Sequence, residues 1–160
     1  MTEYSKQLDY IARCDNAAEL RNLIARAKVM NATEVEDAAF RKLVGLGIEH
    51  PEGSVEHDFW RTINAFETVL KEERGKTVRL ARTRQKVARV GVRQTLMDWS
   101  KVTESTEGYD MLLDRNMPEL TGEAIVLRHA ADFPPDVVAA ARSRLQRSDV
   151  DIEAVSRPLR

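Results

Sequence analysis

Five cations sit at helical spacing in one part of this chain. Arg79, Arg82, Lys86, Arg89 and Arg93 step by three, four, three and four residues. At about 100° per residue they fall on one stripe of an α-helix. Such a stripe is suited to gripping phosphate, because the planar arginine fork meets phosphate in bidentate fashion and each neutralised phosphate releases counterions. Leu80, Ala81, Val87 and Ala88 fall on the opposite face. A basic amphipathic helix over 77–93 is therefore expected, with Thr77 as its cap and Gly91 as its stop. Like charges at these spacings cost a helix about 0.2–0.5 kcal/mol per pair, so acidic neighbours in the fold or an anionic partner must offset them. Arg84 projects into the apolar face. It can snorkel, pair with a buried carboxylate, or mark a break in the helix.

The formal net charge of -1 hides a segregation of charge. Residues 71–101 hold ten Lys/Arg against three Asp/Glu, whereas 1–58 and 102–160 each hold seven against eleven. The distribution points to a nucleic-acid-binding accessory or regulatory protein that grips a DNA or RNA backbone through the five stripe residues. The alternative is a helical protein-protein interaction module whose stripe docks an acidic partner or pairs internally. The apolar face, mostly alanine and without Trp or Phe, gives a membrane nothing to take up. "VARVGVRQTLMDWSK" has the helix, glycine, helix order of a helix-turn-helix. Its second helix would offer bases only Gln94, Thr95, Asp98 and Lys101, so phosphate contact fits better than base readout.

Other constellations lack the spacing that chemistry needs. "EHPEGSVEHD" gathers His50, Glu52, Glu56, His57 and Asp58, but no HExxH or zinc-finger spacing is present. Asp110 with Asp114, and Glu119 with Glu123, are acidic pairs of the kind common on exposed helix faces. Cys14 is the single cysteine; it has Arg13 beside it and no local histidine partner, which reads as a small core residue. "RGKT" lacks the upstream glycine of a phosphate loop. No catalytic residue, metal or cofactor is expected.

The elements that position the stripe read as helices throughout. Tyr4, Leu8, Ile11 and Ala12 share one face, and Asn16 with Glu19 opens a second helix in capping-box spacing. Thr33 with Glu36 repeats the pattern, and Gly45 ends the third helix. The three-glycine loop 45–54 is the one candidate boundary between subregions. Ser54 then caps a long central helix near 55–74, with Phe59, Ile63, Phe66 and Leu70 as its seam and Gly75 as its stop. Trp60 and Trp99 read as core or interface anchors, and an exposed Trp60 edge would serve a homodimer. A short helix from about Thr95 to Lys101, a polar loop at 103–108, and a helix around Tyr109, Leu112 and Leu113 follow. "PELTGEAIVLRHA" and "PPDVVAAARSRLQR" each read as one helix, and 156–160 as a frayed tail. "KTVRL" is the best, and short, strand candidate. The expected fold is an all-α, single-domain bundle of about eight or nine helices over 1–160. The first residues lack the apolar core of a signal peptide and no run approaches a membrane span, so a cytoplasmic protein is expected.

The segment "HDFWRTINAFETVLKEERGKTVRLARTRQKVARVG", together with "MPELTGEAIVLRH", resembles small uncharacterised helical proteins of bacteria, alphaproteobacteria in particular. The resemblance covers about residues 55 to 145. It brings neither a function nor a site residue with it.

Overall fold

The computed structural model describes residues 3–102 and 106–158. Among these there are ten α-helices, two single-turn 3₁₀ segments and no strand. Contacts cluster into two compact units, Met1–Ile48 and Glu49–Arg160, divided inside the glycine-rich loop 45–54.

The first unit holds α1 (Ser5–Arg13), α2 (Ala17–Val29) and α3 (Thr33–Gly45). Helix α3 packs against both of the others, and Leu20, Ile24, Val35, Ala39, Phe40 and Val44 are buried. Asn16 caps α2 as its spacing predicts, accepting from the Glu19 amide at 3.1 Å. The Glu19 side chain does not close the box; it takes the Tyr10 hydroxyl instead. Thr33 is not a cap: α3 begins at Thr33 itself, behind Ala32. The left-handed glycine after α3 is Gly47, with φ 73°, rather than Gly45. Cys14 is buried, as expected of a small core residue.

The second unit is built around α4 (Val55–Arg74). Ser54 accepts from the His57 amide at 3.1 Å, and Gly75 closes the helix at φ 70°. The seam is wider than the sequence pattern: Val55, Thr62, Ala65 and Val69 are buried beside Phe59, Ile63 and Leu70, because α4 is covered on several sides. Those covers include α6 (Val92–Ser100), α7 (Glu107–Asp114) and α8 (Gly122–Arg128). Helix α9 (Pro135–Arg147) packs on α8 and α6, and the short α10 (Ile152–Val155) packs on α8 and α9. Trp99 stacks on Phe59 with ring centroids 5.4 Å apart, and Trp60 meets the same ring edge-on at 5.4 Å.

Local departures from the sequence reading have identifiable causes. "PELTGEAIVLRHA" is not one helix. Pro118–Leu120 forms a 3₁₀ turn, and Thr121 then caps α8 by accepting from the Ala124 amide at 3.1 Å. Helix α6 starts at Val92, not Thr95; Thr95 is buried and bonds back to the Gly91 carbonyl at 2.9 Å. Thr106 caps α7, so Gly108 belongs to a helix and not to a polar loop. Residues 103–105 of that loop, and 159–160 of the tail read as frayed, lie outside the described residues. Ser156 is tied to the Ile152 carbonyl at 2.7 Å and Arg157 to Glu153 at 3.1 Å.

Candidate nucleic-acid interface

The basic segment folds as α5 (Ala81–Val90), shorter than the 77–93 helix that its cation spacing predicts. Residues 77–80 are irregular and form no strand. Gly91, at φ 88° and ψ 168°, breaks the chain between α5 and α6. A side chain is rarely tolerated at that positive φ, so glycine fixes the break. The stripe is thus distributed over three pieces. Arg79 precedes α5, Arg82, Lys86 and Arg89 lie on it, and Arg93 lies on α6.

Helix α5 has no buried residue. Leu80 at its N-cap and Thr83, Arg84 and Val87 on it are partly buried, spaced i, i+3, i+4 and i+7, as is Lys86, whereas Ala81 and Ala88 are exposed. The inner face is therefore rotated from the expected one, and Arg84 belongs to it. The helix is continuous through Arg84, whose guanidinium reaches Glu67 on α4. Nη2 donates to Oε1 at 2.6 Å and Nε to Oε2 at 3.0 Å. The same guanidinium lies 5.3 Å from the Trp60 ring centroid, in cation–π range. Glu67 Oε2 also accepts the Leu80 amide at 2.7 Å. Thr77 is not the cap: one carboxylate thirteen residues upstream both caps the start of α5 and neutralises its inward arginine. Burial opposes ionisation of Glu67, but the Arg84 bonds and the Leu80 amide outweigh it and hold its pKa below the usual value.

The five stripe residues divide by environment. Lys86 pairs with Asp98 at 2.6 Å, and Arg93 pairs with Glu56 at 2.6 Å and lies 3.7 Å from Asp132. Lys86 holds the Asp98 carboxyl below its ordinary pKa, with Gln94 adding a second hydrogen bond. Through these pairs Lys86 and the still exposed Arg93 act as struts joining neighbouring elements. Arg79, Arg82 and Arg89 are exposed. Arg82 and Arg89 make no ion pair among the described residues, while Arg79 acts on Glu67 only through its charge. Lys71, Arg74 and Lys76 are also exposed, with Arg74 3.8 Å from Glu107.

The helix-turn-helix reading does not survive. Gly91 alone separates α5 from α6, where that motif uses a turn of three or four residues. Most of the proposed reading side chains are also committed elsewhere: Gln94 bonds Asp98 at 2.9 Å, and Thr95 is buried.

The histidine-rich loop gathers no metal site. Among the described residues no three of His, Cys, Asp and Glu converge as ligands. Burial and the neighbouring Arg61 push the His57 pKa down. Asp58 instead forms a cluster that sequence spacing could not show, with partners about seventy residues away. Its Oδ2 accepts from His129 Nε2 at 2.8 Å and from Arg128 Nε at 3.3 Å. Arg128 further donates to the carbonyls of Glu119 and Val155 at 2.8 and 3.2 Å. The cluster ties the start of α4 to the end of α8. Its geometry is that of a structural tie: one carboxylate shared by an imidazole and a buried guanidinium.

No helix among the described residues is long and apolar enough to cross a membrane. No protein-family model matches the chain, and neither a curated protein nor a solved structure matches it.

Proposed function

We propose that this protein is a cytoplasmic accessory or regulatory factor that binds nucleic acid along its phosphate backbone, using Arg79, Arg82 and Arg89. One observation carries the reading. These arginines stand exposed on and beside a helix with no fully buried residue, while Glu67 and Asp98 are engaged by Arg84 and Lys86. Exposed arginines unsatisfied by the fold are the groups that phosphate contact needs. Lys86 and Arg93 belong to the original stripe but act here as struts, so they contribute charge to the field more than direct contacts.

A salt-titrated gel shift with DNA and with RNA tests this. Three phosphate contacts on duplex DNA give a slope of log K against log salt of about −2.7. The triple change Arg79→Gln, Arg82→Gln and Arg89→Gln should flatten that slope and weaken binding on every sequence alike. Lys86→Gln should cost under about 1 kcal/mol of stability, as for other partly exposed pairs, and leave most of the slope in place. Binding that is unchanged by the triple substitution would overturn the proposal.

A specific observation favours a second reading. Lys86 and Arg93 both hold carboxylates at 2.6 Å, so this surface already binds acidic side chains. An acidic protein segment docking on Arg82 and Arg89 would use the same chemistry. Negligible nucleic-acid binding at physiological salt, with retained binding of a poly-glutamate probe, would select it.

A further inference from the structure

A cavity of about 210 Å³ opens to the surface of the second unit past Thr106 and Glu107, lined mainly by apolar side chains, with Phe66, Trp99 and Tyr109 among them. Two glycines shape it. A Cβ on Gly108 would come within 2.9 Å of the Phe66 ring, and one on Gly122 within 2.8 Å of Trp99. Both rings therefore rest on bare backbone, and a side chain at either position would displace an aromatic wall.

Two ionisable groups in this lining are nearly sealed from solvent. Glu123 from α8 and Arg144 from α9 have side chains 5 % and 7 % exposed. They are not properly joined. Glu123 Oε1 lies 3.7 Å from Arg144 Nη1, beyond hydrogen-bond length, and among the described residues Glu123 Oε2 has no hydrogen-bond partner. Nη1 reaches the Trp99 carbonyl at 3.4 Å. Buried carboxyl oxygens are almost always satisfied, and an orphan one beside a cavity calls for an explanation. Among the described residues, the other titratable groups that line the cavity come from α7. They are Glu107, which faces Arg74 at 3.8 Å, and Tyr109, whose hydroxyl donates to Ser148 at 2.8 Å. From α4, α5 and α6 the lining takes only uncharged side chains.

We propose that this cavity binds a small aromatic carboxylate, its ring against Phe66 and Trp99 and its carboxylate held by Arg144 and by the protonated Glu123 side chain. Charge balance selects this class. With Arg144 cationic and Glu123 neutral, a monoanion brings the buried site to zero net charge. An amine beside Arg144 and an ionised Glu123 would leave a buried excess positive charge, which is costly. The ligand supplies the acceptor that the Glu123 hydroxyl lacks and the anion that Arg144 holds only loosely now. Size agrees, since a 150 Å³ apolar cavity admits benzene. Burial pushes the Glu123 pKa up to about 7 against the pull of Arg144, so the protonated acid is available near neutrality.

Phenylacetate and its neutral isostere phenylacetamide, titrated into the full chain at pH 6 and pH 8, test the assignment. Amide chemical shifts locate the binding and Trp fluorescence follows it. The acid should shift residues lining this cavity and bind about tenfold more weakly at pH 8, because Glu123 must carry a proton to donate. The amide should bind more weakly at pH 6 and without pH dependence. Glu123→Gln should bind phenylacetate equally at both pH values, since its amide donates at either. If that variant does not fold, the wild-type comparisons decide alone. Equal binding of acid and amide, loss of the pH effect, shifts placed elsewhere, or no binding of either compound would each overturn the proposal.

Discussion

Asp58→Ala is expected to destabilise the second unit by about 3–5 kcal/mol, the range for removing one partner of a buried ion pair. The cost comes less from the lost bonds than from what remains. The Arg128 side chain is 2 % exposed, and without Asp58 its cation keeps the carbonyls of Glu119 and Val155 and the weaker pull of the Glu119 charge, with no carboxylate among the described residues bonded to it. The double variant Asp58→Ala, Arg128→Met should therefore recover a large part of the loss. Urea denaturation of the single and double variants measures this, and additive losses would sink the account. The pH dependence follows the same pair. Burial works against ionisation of Asp58, but His129 and Arg128 prevail and lower its folded-state pKa. A carboxyl depressed on folding contributes stability that is fully present above its unfolded pKa, about 3.9, and is lost as pH falls through the folded value. Glu123 acts in the opposite sense. Its folded pKa of about 7 lies above the ordinary 4.5, so the folded state binds the extra proton and stability declines as pH rises from 4.5 through 7. Glu67 and Asp98 add to the acid limb, and His57, whose pKa is lowered on folding, works against the Glu123 decline, so Asp58 and Glu123 each supply one part of the profile. Asp58→Ala should flatten the acid limb, and Glu123→Gln the neutral one.

Glu67→Ala should unfold α5 while leaving α4 and α6 folded. Hydrogen bonds to charged groups are worth about 1.5–3 kcal/mol each, and Glu67 accepts from both Arg84 and the Leu80 amide. Part exposure of Arg84, whose side chain is 26 % accessible, trims that sum, leaving an expected loss of about 2–3 kcal/mol. A helix of ten residues is marginal by itself in water, and α5 has no buried side chain to compensate. Hydrogen exchange should show amides of 84–90 losing protection while those of α4 around Ile63 keep theirs. Unchanged protection in α5 would mean that Leu80 and Val87 hold it without the carboxylate. Glu67→Gln should fall between, since an amide oxygen can still accept from Leu80 but cannot pair fully with Arg84.

What the sequence could show depended on how far each signal had to reach. Helix α4 was legible at both ends because Ser54 caps it three residues before the amide it accepts, and Gly75 stops it on the spot. The start of α5 was not legible, since its cap is Glu67 and only the folded chain brings that carboxylate to Leu80. The start of α6 departs from the sequence pattern for a related reason. Thr95 and Asp98 have capping-box spacing, yet Thr95 bonds backward to Gly91 and Asp98 is taken by Lys86. The stripe itself was half legible. Spacing gave the cations of α5 correctly, but it could not show that Gly91 turns Arg93 onto another helix, nor that acids from Glu56 and Asp98 occupy two of the five. Arg84 was visible as a misfit, and its resolution required a partner on α4. The Asp58 cluster and the Glu123–Arg144 cavity left no local trace, because their members meet only through packing.

The absence of buried residues on α5 also bears on how this chain can change over generations. Substitutions at Arg82 or Arg89 touch no core side chain, so they should alter the surface while the rest of the fold is indifferent. Surface charge and stability are then separable traits at these positions, and the charge of the helix can drift, strengthen or reverse without a compensating change elsewhere. Glu67, Arg84 and Gly91 are held to a different standard: they fix where α5 is presented, and selection should tolerate little variation there.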